Sequence, residues 1–172
     1  MTGRRYDAAM PSPYSRRAED APTFSVVSDI YRVLASEDST GGMLGLIDAI
    51  VPPGGGPPPH VHTREDEFFY ILDGEITFYI ESGEAMSTLL AKRGTFVFAP
   101  RNQKHRFRNE SGATARMLFG VLPGGMERLF EDAGTRLEPG ATAAAPFTEP
   151  DLIKLAQTAA ERYGCQIFPP AE

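Results

Sequence analysis

Turn-forming residues punctuate the middle of this 172-residue chain at short, regular intervals. They fall at Ser39–Gly42, Pro52–Pro59, Asp73–Gly74, Ser82–Gly83, Lys92–Gly94, Pro100–Gln103 and Asn109–Gly112. Between the later ones lie the apolar, β-branched and aromatic runs EFFYIL, EITFYI, AMSTLLA, TFVFA, KHRFRN and TARMLFGVL. Ile30–Ala35 and Leu44–Val51 read as earlier strands. Many short strands at about 8–12-residue spacing indicate an all-β sandwich or barrel rather than βαβ units. Asp73–Gly74 is the strongest hairpin signal, because a type I′ turn needs positive φ at both central positions and Asp-Gly tolerates that.

One strand shows its two faces in the sequence. In Lys104–Asn109 the even positions are Lys104, Arg106 and Arg108, and the odd ones are His105, Phe107 and Asn109. A period of two sends the cations to water and His105 inward beside Phe107. The tail has a different period. Thr148 is a candidate N-cap, Pro150 suits the first turn, and Leu152, Leu155, Ala156, Ala159 and Tyr163 recur at helical spacing before Gly164. An amphipathic helix is therefore expected at about 149–163, packed on the barrel exterior or near its mouth, after a linker at 134–147. The length suits one domain. Residues 1–22 are expected to form a flexible arm, 23–125 a barrel and 126–172 a C-terminal segment carrying the helix.

A formal net charge of −6 argues against nucleic-acid and membrane-surface binding. No apolar run approaches the roughly 20 residues that span a bilayer. The basic N-terminus has no hydrophobic stretch behind it, so it does not read as a signal peptide. Cys165 is the only cysteine, which excludes an intramolecular disulfide and makes a cytoplasmic setting the expectation. It is expected to be a buried or idle thiol. Asn109 is expected to be a structural hydrogen-bonding residue, and Glu65 and Asp66 solvated rim charges.

The chain holds three histidines, in His60-Val61-His62 and at His105. On an extended segment, residues i and i+2 share a face about 6–7 Å apart, so two imidazoles can close on one ion. Glu67 follows at the start of EFFYIL and offers a carboxylate. Imidazole with carboxylate suits borderline first-row divalent metals. A single histidine is usually a surface or satisfied core residue; here the whole complement falls at positions with a reason to face inward.

These residues resemble a known family. Gly54-x5-His60-x-His62-x4-Glu67-x6-Gly74 matches the first cupin motif at every defined position. Gly94-x5-Pro100-x-Asn102-x2-His105-x3-Asn109 matches the second, with Asn102 in place of a usual glycine. Asn tolerates left-handed backbone angles, so the turn is expected to be kept. The motifs span residues 54–109 and the strand pattern extends the likeness over roughly 28–125. The resemblance implies a single jelly-roll-like cupin barrel in which His60, His62, Glu67 and His105 hold one divalent transition metal (Ni, Fe, Mn, Co, Cu or Zn). It leaves one or two further coordination positions for water, oxygen or substrate, and it implies a homodimer.

The stretch DSTGGMLGLIDAIVPPGGGPPPHVHTREDEFFYILDGEITFYI is similar to bacterial single-domain quercetin 2,3-dioxygenase-like proteins. That likeness implies a small-molecule substrate of flavonol type, cleaved with O2, whose acidic hydroxyl proton passes to the ligand glutamate. With every histidine committed to metal, Glu67 is also the best-placed proton acceptor on physical grounds. Alternation from Glu67 places Phe69 and Ile71 inside the barrel; Phe107 joins them from its own strand, and Phe96 or Phe98 from theirs. Such a lining fits a planar aromatic substrate, although aromatic residues in a barrel are more often core filling. Acireductone-type dioxygenase, polyketide-tailoring or isomerase cupin, and non-enzymatic binding module remain as alternatives.

Overall fold

A computed structural model describes residues 11–83 and 85–169. The strands are β1 (Thr23–Val26), β2 (Asp29–Ala35), β3 (Gly45–Val51), β4 (His60–His62), β5 (Asp66–Asp73) and β6 (Glu75–Ser82). They continue with β7 (Ala85–Lys92), β8 (Phe96–Ala99), β9 (His105–Arg108), β10 (Ala115–Leu122), β11 (Thr135–Leu137) and β12 (Cys165–Ile167). The helices are α1 (Glu37–Thr40), α2 (Arg128–Ala133) and α3 (Glu149–Thr158). Two antiparallel sheets face each other, ordered β11-β1-β2-β3-β10-β5-β8 and β12-β4-β9-β6-β7. This is the all-β barrel architecture with a C-terminal helix that the turn spacing indicated.

The apolar alternation of the strands fills the space between the sheets. Phe69 on β5 meets Phe78, Phe107 and Phe119 at centroid distances of 4.9, 5.9 and 6.0 Å. Phe69 therefore joins side chains from four strands and both sheets, and such aromatic pairs add stabilisation beyond their buried area.

The Asp73–Gly74 signal has a different outcome from the hairpin it suggested. β5 pairs with β10 and β8, while β6 pairs with β7 and β9, so Asp73–Gly74 carries the chain from one sheet to the other. Gly74 alone takes positive φ, at 73°. A Cβ there would stand 2.9 Å from Ala115 Cα, so glycine is required by close backbone approach as well as by the turn. Tight hairpins are found instead at β6–β7, whose register sets Ser82 opposite Ala85, and at β1–β2, with Val26 opposite Asp29. Asn102 adopts φ 63°, the left-handed conformation expected where it replaces glycine.

In the tail, the Asp151 carboxylate accepts hydrogen bonds from the Thr148 backbone N–H and hydroxyl at 2.8 and 2.6 Å, capping α3. A π-helical turn, Ala159–Tyr163, continues α3 until Gly164 ends it with φ 63°. The expected linker at 134–147 opens with β11, which pairs with β1. Three residues are too few to show a period. Of the arm expected at 1–22, residues 1–10 lie outside the described residues. Within the remainder, Tyr14 Oη donates to Leu34 O at 3.2 Å and Arg16 donates to Val33 O at 3.2 Å. Among the described residues, no helix is long and apolar enough to cross a membrane.

Asp29 is fully buried at the start of β2. Tyr31 Oη donates to it at 2.9 Å, and the Gly56 N–H at 3.2 Å. Burial outweighs these hydrogen bonds and pushes its pKa up from 3.8 to about 7. A carboxyl group with a raised folded pKa favours the folded state when protonated, so its contribution is lost as pH rises from the unfolded pKa through the folded one. Asp29→Asn does not titrate. Urea unfolding of both metal-free chains should show the parent losing on the order of a few kcal/mol relative to the variant between about pH 4 and about pH 8. A constant difference across that window would refute the assignment.

Candidate metal centre

The two sheets bring the centre together from opposite sides. On β4, alternation buries His60 and His62 and leaves Val61 half-exposed. β9 lies beside β4 with His105 in register with His60. Three imidazoles therefore come from one sheet. Glu67 reaches them from β5 in the other sheet, on the same face as Phe69 and Ile71.

Glu67 Oε2 lies 2.7 Å from His105 Nε2, 3.3 Å from His62 Nε2 and 3.9 Å from His60 Nε2. The four ligand atoms all fall within 4.8 Å of one another, and all four residues are buried. His60 Nδ1 lies 2.9 Å from Pro58 O, and His105 Nδ1 lies 2.9 Å from Gln103 O. A carbonyl only accepts, so both rings donate Nδ1–H to it and turn Nε2 toward the cluster.

Burial, with the neighbouring His105 and His62 rings, lowers His60 to about 4 against the pull of Glu67, which keeps it neutral. Burial alone would raise Glu67. The adjacent His62, the 2.7 Å contact with His105 and the nearby His60 hold it instead well below the usual carboxylate range. For His62 the burial penalty is outweighed by the Glu67 carboxylate and Cys165, and its pKa is raised.

This donor set fits a divalent first-row transition ion. Atoms bound to one ion at about 2.0–2.2 Å stand roughly 3 Å apart; His105 and His62 Nε2 stand at 2.7 and 3.3 Å from Glu67 Oε2, and His60 Nε2 is farther out at 3.9 Å. Both ring nitrogens of His62 are buried without a hydrogen-bond partner among the described residues. Such groups are rare unless something else satisfies them.

The expected pocket residues divide. Phe69 and Phe107 line a cavity of about 70 Å³ together with His60, His62 and Glu67. Ile71 is fully buried in the core and is not part of that lining. Phe96 and Phe98 were expected inside and lie outside, 59% and 51% exposed. The reason is register. Phe96 pairs with Tyr70 and Phe98 with Phe68, and cross-strand partners share a face, here the outer one. Val97 and Ala99 take the inward positions opposite Phe69 and Glu67.

Other wall residues went unnamed in the sequence reading. Phe119 was within reach, since alternation along β10 buries Met117, Phe119 and Val121. Leu155 arrives from α3, and Cys165 and Ile167 from β12. Cys165 is buried, as expected, and lies in register with His62. Asn109 is structural, donating to Val51 O and Ala113 O at 2.8 Å each.

Glu65, expected at a solvated rim, is buried. The C-terminal turn covers it: Thr63 N–H donates to Gly164 O at 3.0 Å and Arg64 to Arg162 O at 2.8 Å. Asp66 sits half-exposed, where Arg101 clamps it through backbone and guanidinium contacts of 2.6–3.1 Å.

Residues 48–121 match the Cupin domain family. The chain is 25% identical to the quercetin 2,3-dioxygenase of Bacillus subtilis, over 73% of this chain and 36% of that protein. It is 27% identical to the tetracenomycin polyketide synthase protein TcmJ of Streptomyces glaucescens, over 65% of this chain and 71% of that protein. It thus spans little more than a third of the first relative and most of the second. The fold resembles that of a predicted oxalate decarboxylase from Thermotoga maritima, with a TM-score of 0.57 at 19% identity, covering 62% of this chain and 96% of that one. At that identity the likeness concerns fold alone. With both motifs in place and their residues gathered at one buried point, the chain carries a cupin domain over residues 48–121.

Proposed function

We propose that this chain is a metal-dependent cupin enzyme that deprotonates a planar phenolic substrate of flavonol type and opens it with O2. The observation carrying this reading is the pairing of one buried carboxylate with an otherwise apolar, aromatic wall. Glu67 is ionised and faces a cavity bounded by Phe69, Phe107 and Phe119. A bound ion would supply Lewis acidity to a substrate oxyanion. Glu67 would take the hydroxyl proton, and the aromatic side chains would hold the ring plane and exclude water.

The reaction balances as one O2 consumed and one carbon monoxide released. Both oxygen atoms remain in the opened product as an ester and a carboxyl group, and the proton returns to that carboxyl. At about 70 Å³ the cavity is well below the roughly 300 Å³ of a typical ligand site, so a flavonol enters only if a wall moves. The wall formed by Leu155, Cys165 and Ile167 is the natural one, because β12 is a three-residue strand at the edge of its sheet.

A second reading is a polyketide-tailoring reaction on a similar phenolic or enolic ring, without oxygen. It is favoured by the likeness to TcmJ, which extends over 71% of that protein. Oxygen-electrode measurements with a flavonol panel, after loading with Mn, Fe, Co, Ni or Cu in turn, separate the two. The expected result is stoichiometric O2 uptake and CO release with at least one metal. Uptake with none of them would displace the dioxygenase reading in favour of the second.

A further inference from the structure

His62 is the histidine whose ring lacks a second anchor. His60 and His105 each donate Nδ1–H to a main-chain carbonyl at 2.9 Å. Neither nitrogen of His62 has a hydrogen-bond partner among the described residues, although its side chain is 2% exposed. Glu65 stands opposite. Its Oε2 lies 3.7 Å from His62 Nδ1, is likewise without a partner, and belongs to a residue 5% exposed. A buried polar atom left unpaired is costly, and more so when it is charged. Two such atoms facing each other leave one economical explanation.

We propose that Glu65 is the positioning residue of His62. Its carboxylate receives the Nδ1–H of His62, fixes the ring tautomer and aims Nε2 at Glu67. The 3.7 Å gap exceeds a formed hydrogen bond, and closing it takes a side-chain shift of about half an ångström. The β4–β5 connection holds Glu65 in place for this role, since Thr63 and Arg64 are both bonded to the C-terminal turn. Each of the three histidines then has an acceptor on its far nitrogen: two carbonyls and one carboxylate. An anionic acceptor raises the basicity of the ring nitrogen that faces the ion, so His62 becomes the strongest imidazole donor of the set.

The inference rests on reading the four-residue cluster as a metal site, and its test separates the two. The chain has three histidines, so histidine-only 15N labelling of the untagged protein gives three ring systems to assign. NMR spectra are recorded on the metal-free and the zinc-loaded chain, with zinc affinity measured by chelator competition. The His62 Nδ1–H signal should be deshielded and slowly exchanging. Glu65→Ala should move that signal alone and lower zinc affinity about 10–100-fold. Glu65→Gln, which keeps an acceptor oxygen, should restore most of both. Should Glu65→Ala fail to fold, the shift between carboxylate and amide acceptors in Glu65→Gln still reads the contact. An unchanged His62 ring in both variants, or unchanged affinity in Glu65→Ala, overturns the proposal. Failure of the unaltered chain to bind zinc would instead refute the metal reading, with the ring signals of the metal-free chain still deciding the role of Glu65.

Discussion

Chains carrying His60→Ala or His105→Ala are expected to be purified with less than about a tenth of the transition metal held by the unaltered chain. Each substitution removes one of the three nitrogen donors, and each has a further consequence. Losing His105 removes the 2.7 Å partner of Glu67 Oε2 and leaves a buried carboxylate short of compensation. Losing His60 frees Pro58 O from its ring and opens the wall beside the cavity. Loss of the group that hydrogen-bonds a metal-binding side chain costs about 10–100-fold in metal affinity, and loss of a ligand costs at least that. Elemental analysis of the purified proteins reads the effect directly. Full metal retention in both variants is incompatible with the site.

Glu67→Gln is expected to keep the fold and to lower turnover of any identified substrate at least about 100-fold, the lower end of what a positioned base supplies. Glutamine has nearly the shape of glutamate and still offers an oxygen, but it cannot hold a proton between substrate and product. The metal-free forms should also differ in pH dependence. The depressed pKa of Glu67 means that its ionised form stabilises the fold; that stability is present above the unfolded value of about 4.5 and is lost as pH falls through the folded value. The variant lacks it. The stability gap between the two chains should therefore narrow as pH drops below about 4.5. Steady-state rates and urea unfolding test the two halves separately, and unchanged turnover refutes the role of Glu67 as base.

The metal cluster was legible in the sequence because each ligand sits on a regular strand where a period of two decides the face. His105 with Phe107, His60 with His62, and Glu67 with Phe69 all obey it. What escaped was set by long-range pairing. Phe96 and Phe98 alternate correctly with Val97, but a run of four residues does not say which of its faces is inner; the pairing of β8 with β5 decides that. Asp73–Gly74 has hairpin chemistry, yet the strands on either side find partners in different sheets. Glu65 looked like one more charge in a hydrophilic turn. Its burial comes from residues 162–164, nearly a hundred positions away. Cys165 and Ile167 reach the cavity on a three-residue strand, too short to carry any pattern.

Calorimetric titration of the metal-stripped chain with a divalent first-row ion reads the binding of the ion itself. The expected isotherm has one ion per chain, and no saturable binding once His60 and His62 are both replaced by alanine. An unaltered chain that binds no ion, or a doubly substituted chain that still binds one as tightly, would contradict a metal site built on these residues.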